Sequence, residues 1–248
     1  MSRGCKESGH ETTCSPSPRE IAARPDPLDV EAAESHYLQV LGSANARAIV
    51  GIDISPAMVA YCRERYPRGT FREGDLRDLA TIERGSFDVV VAAYNILDAL
   101  TDAERAQVLD GIHAVLPPDG LLIFSSHNRA FAPRIPDAMN LRGKGLRHLL
   151  VTAIHLPGWR RNRRRLLPFE HEEEGHAILN DSTHDFSALH YYITRDAQER
   201  QLAAHGFRLL ECLDLDGRSP GPGEPAPDCP ELHYVARRID RARIASDR

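Results

Sequence analysis

Three short apolar runs, the first rich in β-branched residues, separated by segments with helical spacing, constrain this chain most. Residues 48–54, 87–93 and 121–125 read as strands buried on both faces. A shorter strand is expected at 70–73. After the first run, Ser55 and Pro56 open a helix, with Ser as N-cap and Pro at the first helical position. Met58, Val59, Cys62 and Tyr66 share its inner face, and Pro67 ends it. Thr101 and Glu104 have capping-box spacing ahead of a helix whose apolar face is Ala106, Leu109, Ile112, Val115 and Leu116. A last helix over 196–205 closes at Gly206. Two strands follow, at 207–215 and 231–237, joined by a Pro- and Gly-rich loop with no helix. This order predicts an α/β fold: a doubly wound, Rossmann-like, mostly parallel sheet with an antiparallel C-terminal hairpin.

The 248 residues suit one larger domain carrying an insertion. Residues 1–28, with four prolines and no periodicity, read as a disordered tail; 29–248 read as the domain, with 129–194 as a substrate-cap insertion. A formal net charge of −5 excludes nucleic-acid binding by bulk charge. No apolar run reaches the roughly 20 residues of a membrane helix. The five cysteines are scattered without a C-x-x-C, which points to a reduced, cytoplasmic setting and no structural zinc. His171, His176, His184 and His190 lack a recognised ligand spacing, so no metal is expected. The basic cluster 160–165 is followed by Glu170 and residues 172–174, which favours a solvated, self-compensating surface over an anion site. The segments 181–184 and 189–192 either line a substrate cavity or pack ordinarily.

In a doubly wound sheet, ligands bind beyond the carboxyl ends of the strands. That places Asp53, Asp75, Tyr94 with Asn95, and residues 126–128 around one crevice. Asp53 has two readings, a ribose acceptor or a helix-capping carboxylate. Asp75, behind Gly74, accepts from an amine or makes a turn.

Taken together, residues 50–58, the Gly74-Asp75-Leu76 block, residues 86–91 and residues 116–124 resemble the class I S-adenosylmethionine-dependent methyltransferases. The resemblance covers roughly residues 47–128. It implies a seven-stranded Rossmann-like sheet and S-adenosylmethionine as cofactor. Asp53, with Ile54 beside it, would take the ribose hydroxyls. Asp75 and Leu76 would meet the adenine, and Ala93 and Tyr94 would flank the methionine part. The acceptor is expected to be a small molecule, not nucleic acid or a membrane. His127, just past a strand, is the candidate general base, with Tyr94 and Tyr192 behind it.

The sequence departs from the family at its start. The first strand of the family ends in an acidic residue and a glycine-rich turn, and no G-x-G precedes Asp53 here. Residues 36–41 lie too close to residue 48 to be that strand, because a parallel crossover needs about ten to twelve residues. A helix from Asp29 to Gly42 fits better. The expectation is therefore an incomplete first βαβ unit. Losing two charge-assisted backbone contacts would weaken cofactor binding by roughly 3–6 kcal/mol. Two functions follow: methyl transfer to a small acceptor, or an impaired relative serving as a scaffold or binding module. A nicotinamide oxidoreductase ranks below both, since it too needs the glycine turn.

Overall fold

A computed structural model describes residues 27–29, 46–131 and 146–240. The strands in chain order are β1 (Pro27–Asp29), β2 (Val50–Asp53), β3 (Thr70–Glu73), β4 (Val89–Ala92), β5 (Leu121–Asn128), β6 (His171–Glu173), β7 (His176–Leu179), β8 (His190–Ile193), β9 (Phe207–Leu213) and β10 (Glu231–Arg238). The helices are α1 (Pro56–Arg65), α2 (Asp102–Val115), α3 (Leu146–Leu166) and α4 (Arg195–Ala204).

The main sheet runs β3-β2-β1-β4-β5, all parallel. β10 then pairs antiparallel with β5, and β9 antiparallel with β10. This is the expected doubly wound sheet with an antiparallel C-terminal hairpin. Alternation along β4 splits the core. Val90 and Ala92 pack with Leu109, Ile112 and Phe124, while Val89, Val91 and Ala93 pack with Leu121 on the other face.

The expectation of a missing first strand is corrected. β1 lies in the centre of the sheet, with Leu28 opposite Val50 on one side and Val90 on the other. Pro27 and Leu28 therefore belong to the sheet and not to a tail. Asp29 is the last residue of β1 and not the start of a helix. Three residues surrounded by polar sequence gave no pattern to read; the strand exists because its two neighbours supply hydrogen bonds on both edges. Residues 30–49 separate β1 from β2, enough for a parallel crossover. The helix expected up to Gly42 and the rest of the tail lie outside the described residues. What the chain lacks is the glycines: Val30-Glu-Ala-Ala-Glu34 follows Asp29.

Helix starts follow their local chemistry. Ser55 Oγ accepts from Met58 N at 3.4 Å, with Pro56 in the first turn. In α2 the capping box closes, Glu104 N donating to Thr101 Oγ1 at 3.3 Å and Thr101 N to Glu104 Oε2 at 2.9 Å. Thr194 caps α4 one residue earlier than expected, and Gly206 beyond it takes φ +82°. No helix among the described residues is long and apolar enough to cross a membrane.

Part of the segment 129–194 extends the sheet. β6, β7 and β8 form an antiparallel meander, and β8 pairs parallel with the end of β5 through His127↔Tyr192 and Asn128↔Ile193. β10 covers one edge of β5 as far as His127. β8 therefore takes the edge that β4 leaves free after Ala92. The meander thus stands at the carboxyl end of the sheet, beside the crevice.

Candidate active site at the strand ends

The carboxyl ends of β1 to β5 bring together Asp29, Asp53, Gly74 with Asp75, Ala93 with Tyr94 and Asn95, and His127. Asp53 is 7% exposed, and its Oδ1 accepts from Ser55 N at 2.7 Å. Its Oδ2 has no partner among the described residues. Both readings of Asp53 are thus compatible: one oxygen caps, the other is left for a ligand. Ile54 beside it is exposed. Gly74 N donates to Asp53 O at 3.1 Å, tying the two strand ends together. A Cβ on Gly74 would lie 2.8 Å from Ile52 Cγ2, so glycine is what permits this approach.

Asp75 is held by Arg77. Its Oδ1 accepts from Arg77 N at 2.8 Å and Nε at 2.9 Å, and Arg77 Nη2 lies 2.5 Å from Oδ2. These bonds, the guanidinium first, keep the Asp75 carboxyl below its ordinary range. Arg77 also reaches Glu104 Oε1 at 2.6 Å. Leu76 points into the main core with Leu79 and Ile82.

After β4 the backbone turns sharply. Ala93 is buried, and Tyr94 and Asn95 both adopt φ +57°, the left-handed region that side chains disfavour. The turn exposes the Tyr94 ring and directs Asn95 inward. Asn95 N donates to Ser125 Oγ at 3.0 Å, and Asn95 Nδ2 donates to Glu231 Oε2 at 2.6 Å. Asn95 Oδ1 is buried without a partner among the described residues.

His127 sits over a buried charge network. Its backbone N donates to Asp98 Oδ2 at 2.6 Å. Its Nδ1 lies 2.8 Å from the same oxygen, within ion-pair range but off the line of a straight hydrogen bond. Asp98 Oδ1 accepts from Arg105 Nη1 at 2.7 Å and Ser126 Oγ at 2.6 Å. Arg105 is fully buried, bonds Gln198 and Gln201 as well, and lies 4.6 Å from the Tyr191 ring centroid. Burial works against a charged His127, but the bond to Asp98 and the charges of Asp98, Asp181 and Glu231 outweigh it, so its pKa stands above the ordinary value.

The cap contributes a second polar set. Asp181, 2% exposed, accepts from Tyr192 OH at 2.5 Å and lies 2.9 Å from His190 Nδ1. Strand alternation sends His190 and Tyr192 toward His127, with ring centroids 5.5 and 5.0 Å away. Tyr191 points the opposite way, stacked on His176. His190 and Tyr192 thus face His127, while Tyr191 packs on the opposite side.

Sequence reasoning missed Asp98, Arg105 and Glu231. Arg105 did leave a signal: it stands four residues before Leu109 and seven before Ile112, at a core position of α2. In the basic cluster only Arg163 pairs with the acidic run among the described residues, through Glu170 at 3.1 Å. No group of three metal-capable side chains occurs among the described residues.

Residues 28–120 match the family described as the methyltransferase domain, and the match begins inside β1. A probable S-adenosylmethionine-dependent methyltransferase of Mycolicibacterium smegmatis is 33% identical over 135 residues, covering 52% of this chain and 51% of that one. An uncharacterized methyltransferase of Oceanobacillus iheyensis is 31% identical over 78 residues, 32% of this chain and 36% of its own. The chain thus spans about half the length, or less, of the curated relatives it matches. In fold it is similar to an S-adenosylmethionine-dependent methyltransferase of Mesorhizobium loti, with TM-score 0.60, 19% identity, and coverage of 86% and 90%. It is also similar to the 1,6-didemethyltoxoflavin-N1-methyltransferase of Burkholderia thailandensis, solved with bound 1,6-didemethyltoxoflavin and S-adenosylhomocysteine: TM-score 0.55, 16% identity, coverage 91% and 80%.

Proposed function

We propose that this chain, which carries a class I S-adenosylmethionine-dependent methyltransferase domain, transfers a methyl group from S-adenosylmethionine to a small-molecule acceptor. The observation that carries the reading is the coincidence of the family match over 28–120 with one crevice built from the ends of β1 to β4. The scaffold alternative rested on the missing glycine turn; those glycines are absent after Asp29, but the central strand that the turn would follow is present as β1.

The residues fit the cofactor. Asp53 has an oxygen left over for ribose hydroxyls, and Ile54 adds an exposed apolar side chain beside it. Asp75 would accept from the adenine amine, sharing its oxygens with Arg77 or releasing it. Leu76, buried in the core, fixes the segment that carries Asp75. Ala93 and Tyr94 would flank the methionine part, Tyr94 with an exposed ring and Ala93 buried at the end of β4. When bound, S-adenosylmethionine supplies an electrophilic methyl group on a sulfonium leaving group. The chain's own residues align the acceptor with that methyl and exclude water. His127, held by Asp98, would take the acceptor's proton at Nε2. The buried thiols of Cys212 and Cys229 support a reduced, cytoplasmic setting.

Titration calorimetry of the folded chain with S-adenosylhomocysteine tests the reading. Saturable binding that weakens in Asp53→Ala is expected. No binding at millimolar ligand would sink it.

A further inference from the structure

Two imidazole–carboxylate pairs meet at the end of β5, one from the sheet and one from the cap. His127 turns Nδ1 to Asp98, and His190 turns Nδ1 to Asp181. Nε2 is therefore the nitrogen each ring keeps for a ligand. That of His190 has no partner among the described residues. That of His127 has the Asn95 amide nitrogen at 3.4 Å. The His127 side chain keeps 20% of its surface exposed, so the pair is reachable.

Carboxylates outnumber the arginine around the two rings. Asp98 and Asp181 are buried, and Glu231 stands behind Asn95 as a third carboxylate, its other oxygen 3.4 Å from His233 Nε2. Arg105 is the buried cation of the cluster, and it is engaged by Asp98, Gln198, Gln201 and the Tyr191 ring. A surplus of carboxylates in a weakly screened site repels carboxylate or phosphate acceptors and attracts a cation. The rings of Tyr192, His127 and His190 form an aromatic wall, and the face of a tyrosine also attracts cations. Neutral Nε2 atoms accept N–H bonds and offer none.

Building on the methyl-transfer reading above, we propose that the acceptor is an amine, which enters as its ammonium ion and is held between His127 and His190. The ammonium gives one proton to a neutral imidazole Nε2. The freed nitrogen pair forms the bond to the methyl carbon while the carbon–sulfur bond breaks. That bonding pair stays on sulfur, whose positive charge is lost, and the product leaves as an N-methylammonium ion. Asp98 and Asp181 act as positioning residues that orient the two rings, Asp181 through its bond to His190 Nδ1.

The test uses three probes with one ring and different charge: benzylamine, benzyl alcohol and benzoate, each titrated into the chain loaded with S-adenosylhomocysteine. Benzylamine is expected to bind about tenfold or more tighter than benzyl alcohol, with benzoate weakest. His190→Gln and Asp181→Asn should each lower benzylamine affinity about tenfold while S-adenosylhomocysteine affinity holds. Glu231→Gln, which leaves both buried pairs intact, should lower it in the same direction. Equal or tighter binding of benzoate or benzyl alcohol, no benzylamine binding at millimolar concentration, or unchanged affinity in all three variants would overturn the proposal. Failure of S-adenosylhomocysteine to bind overturns the methyltransferase reading instead, and the charge preference is then read on the ligand-free chain.

Discussion

Arg105 Nη1 lies 2.7 Å from Asp98 Oδ1, and neither side chain has any exposed surface. The pair joins the turn after β4 to α2 and sets the floor beneath His127. Breaking one member of a buried pair leaves the other as an uncompensated charge. Arg105→Met should destabilise the protein by about 3–5 kcal/mol, measured by urea unfolding. Asp98→Asn combined with Arg105→Met should recover part of that loss. A single variant as stable as the parent would mean the pair does not hold the site together.

The raised pKa of His127 gives stability a pH dependence. A folded-state value above the unfolded 6.5 means that the contribution is fully present below pH 6.5. It is lost as pH rises through the folded-state value. His127→Gln should therefore cost most stability at low pH and little at high pH. NMR titration of the ring should place its midpoint above 6.5. A midpoint below that value would contradict the arrangement with Asp98.

Asp53 serves a cap and, in the proposed function, a ligand. Asp53→Ala should cost about 1 kcal/mol of stability through the lost bond to Ser55 N. It should weaken S-adenosylhomocysteine binding by a further roughly 1.5–3 kcal/mol. Calorimetry beside thermal melts separates the two effects. A variant that loses stability but keeps its affinity would leave only the capping role.

Gly74→Ala introduces a Cβ 2.8 Å from Ile52 Cγ2, in the core between β2 and the segment that carries Asp75. Overpacking of this kind costs about 1–3 kcal/mol. Chemical unfolding should show that loss, and Asp75 should shift from its place beside Asp53.

β1 should behave as core although it is only three residues long. Amide hydrogen exchange at Leu28 and Asp29 is expected to be slow, comparable to that of Val90 on the neighbouring strand. Exchange at the rate of a free chain would remove the strand from the sheet centre.

Much of this architecture was legible because local rules and tertiary structure agree. Ser55 with Pro56, and Thr101 with Glu104, announce helix starts by chemistry that needs no distant partner. The runs containing β2 and β4 carry enough β-branched residues, and the run containing β5 enough large apolar ones, to read as strands. Asp53 and Asp75 could be picked out because strand ends in such a sheet face one crevice.

The rest depended on residues far apart in sequence. Pro27–Asp29 has no strand pattern of its own and is a strand only because β2 and β4 hold both its edges. Tyr191 and Tyr192 are equivalent in the sequence, and pairing with β5 alone decides which one faces His127. Arg105 falls on the core stripe of α2, but only the sheet and α4, by removing water from it and from Asp98, leave each as the other's partner. The sequence by itself determined the element order, the helix starts and the strand-end carboxylates, because these follow from near-neighbour chemistry and periodicity. Tertiary structure decided which strand is central, which side chains are buried as ions and which histidines meet, because burial and pairing exist only after distant segments have come together.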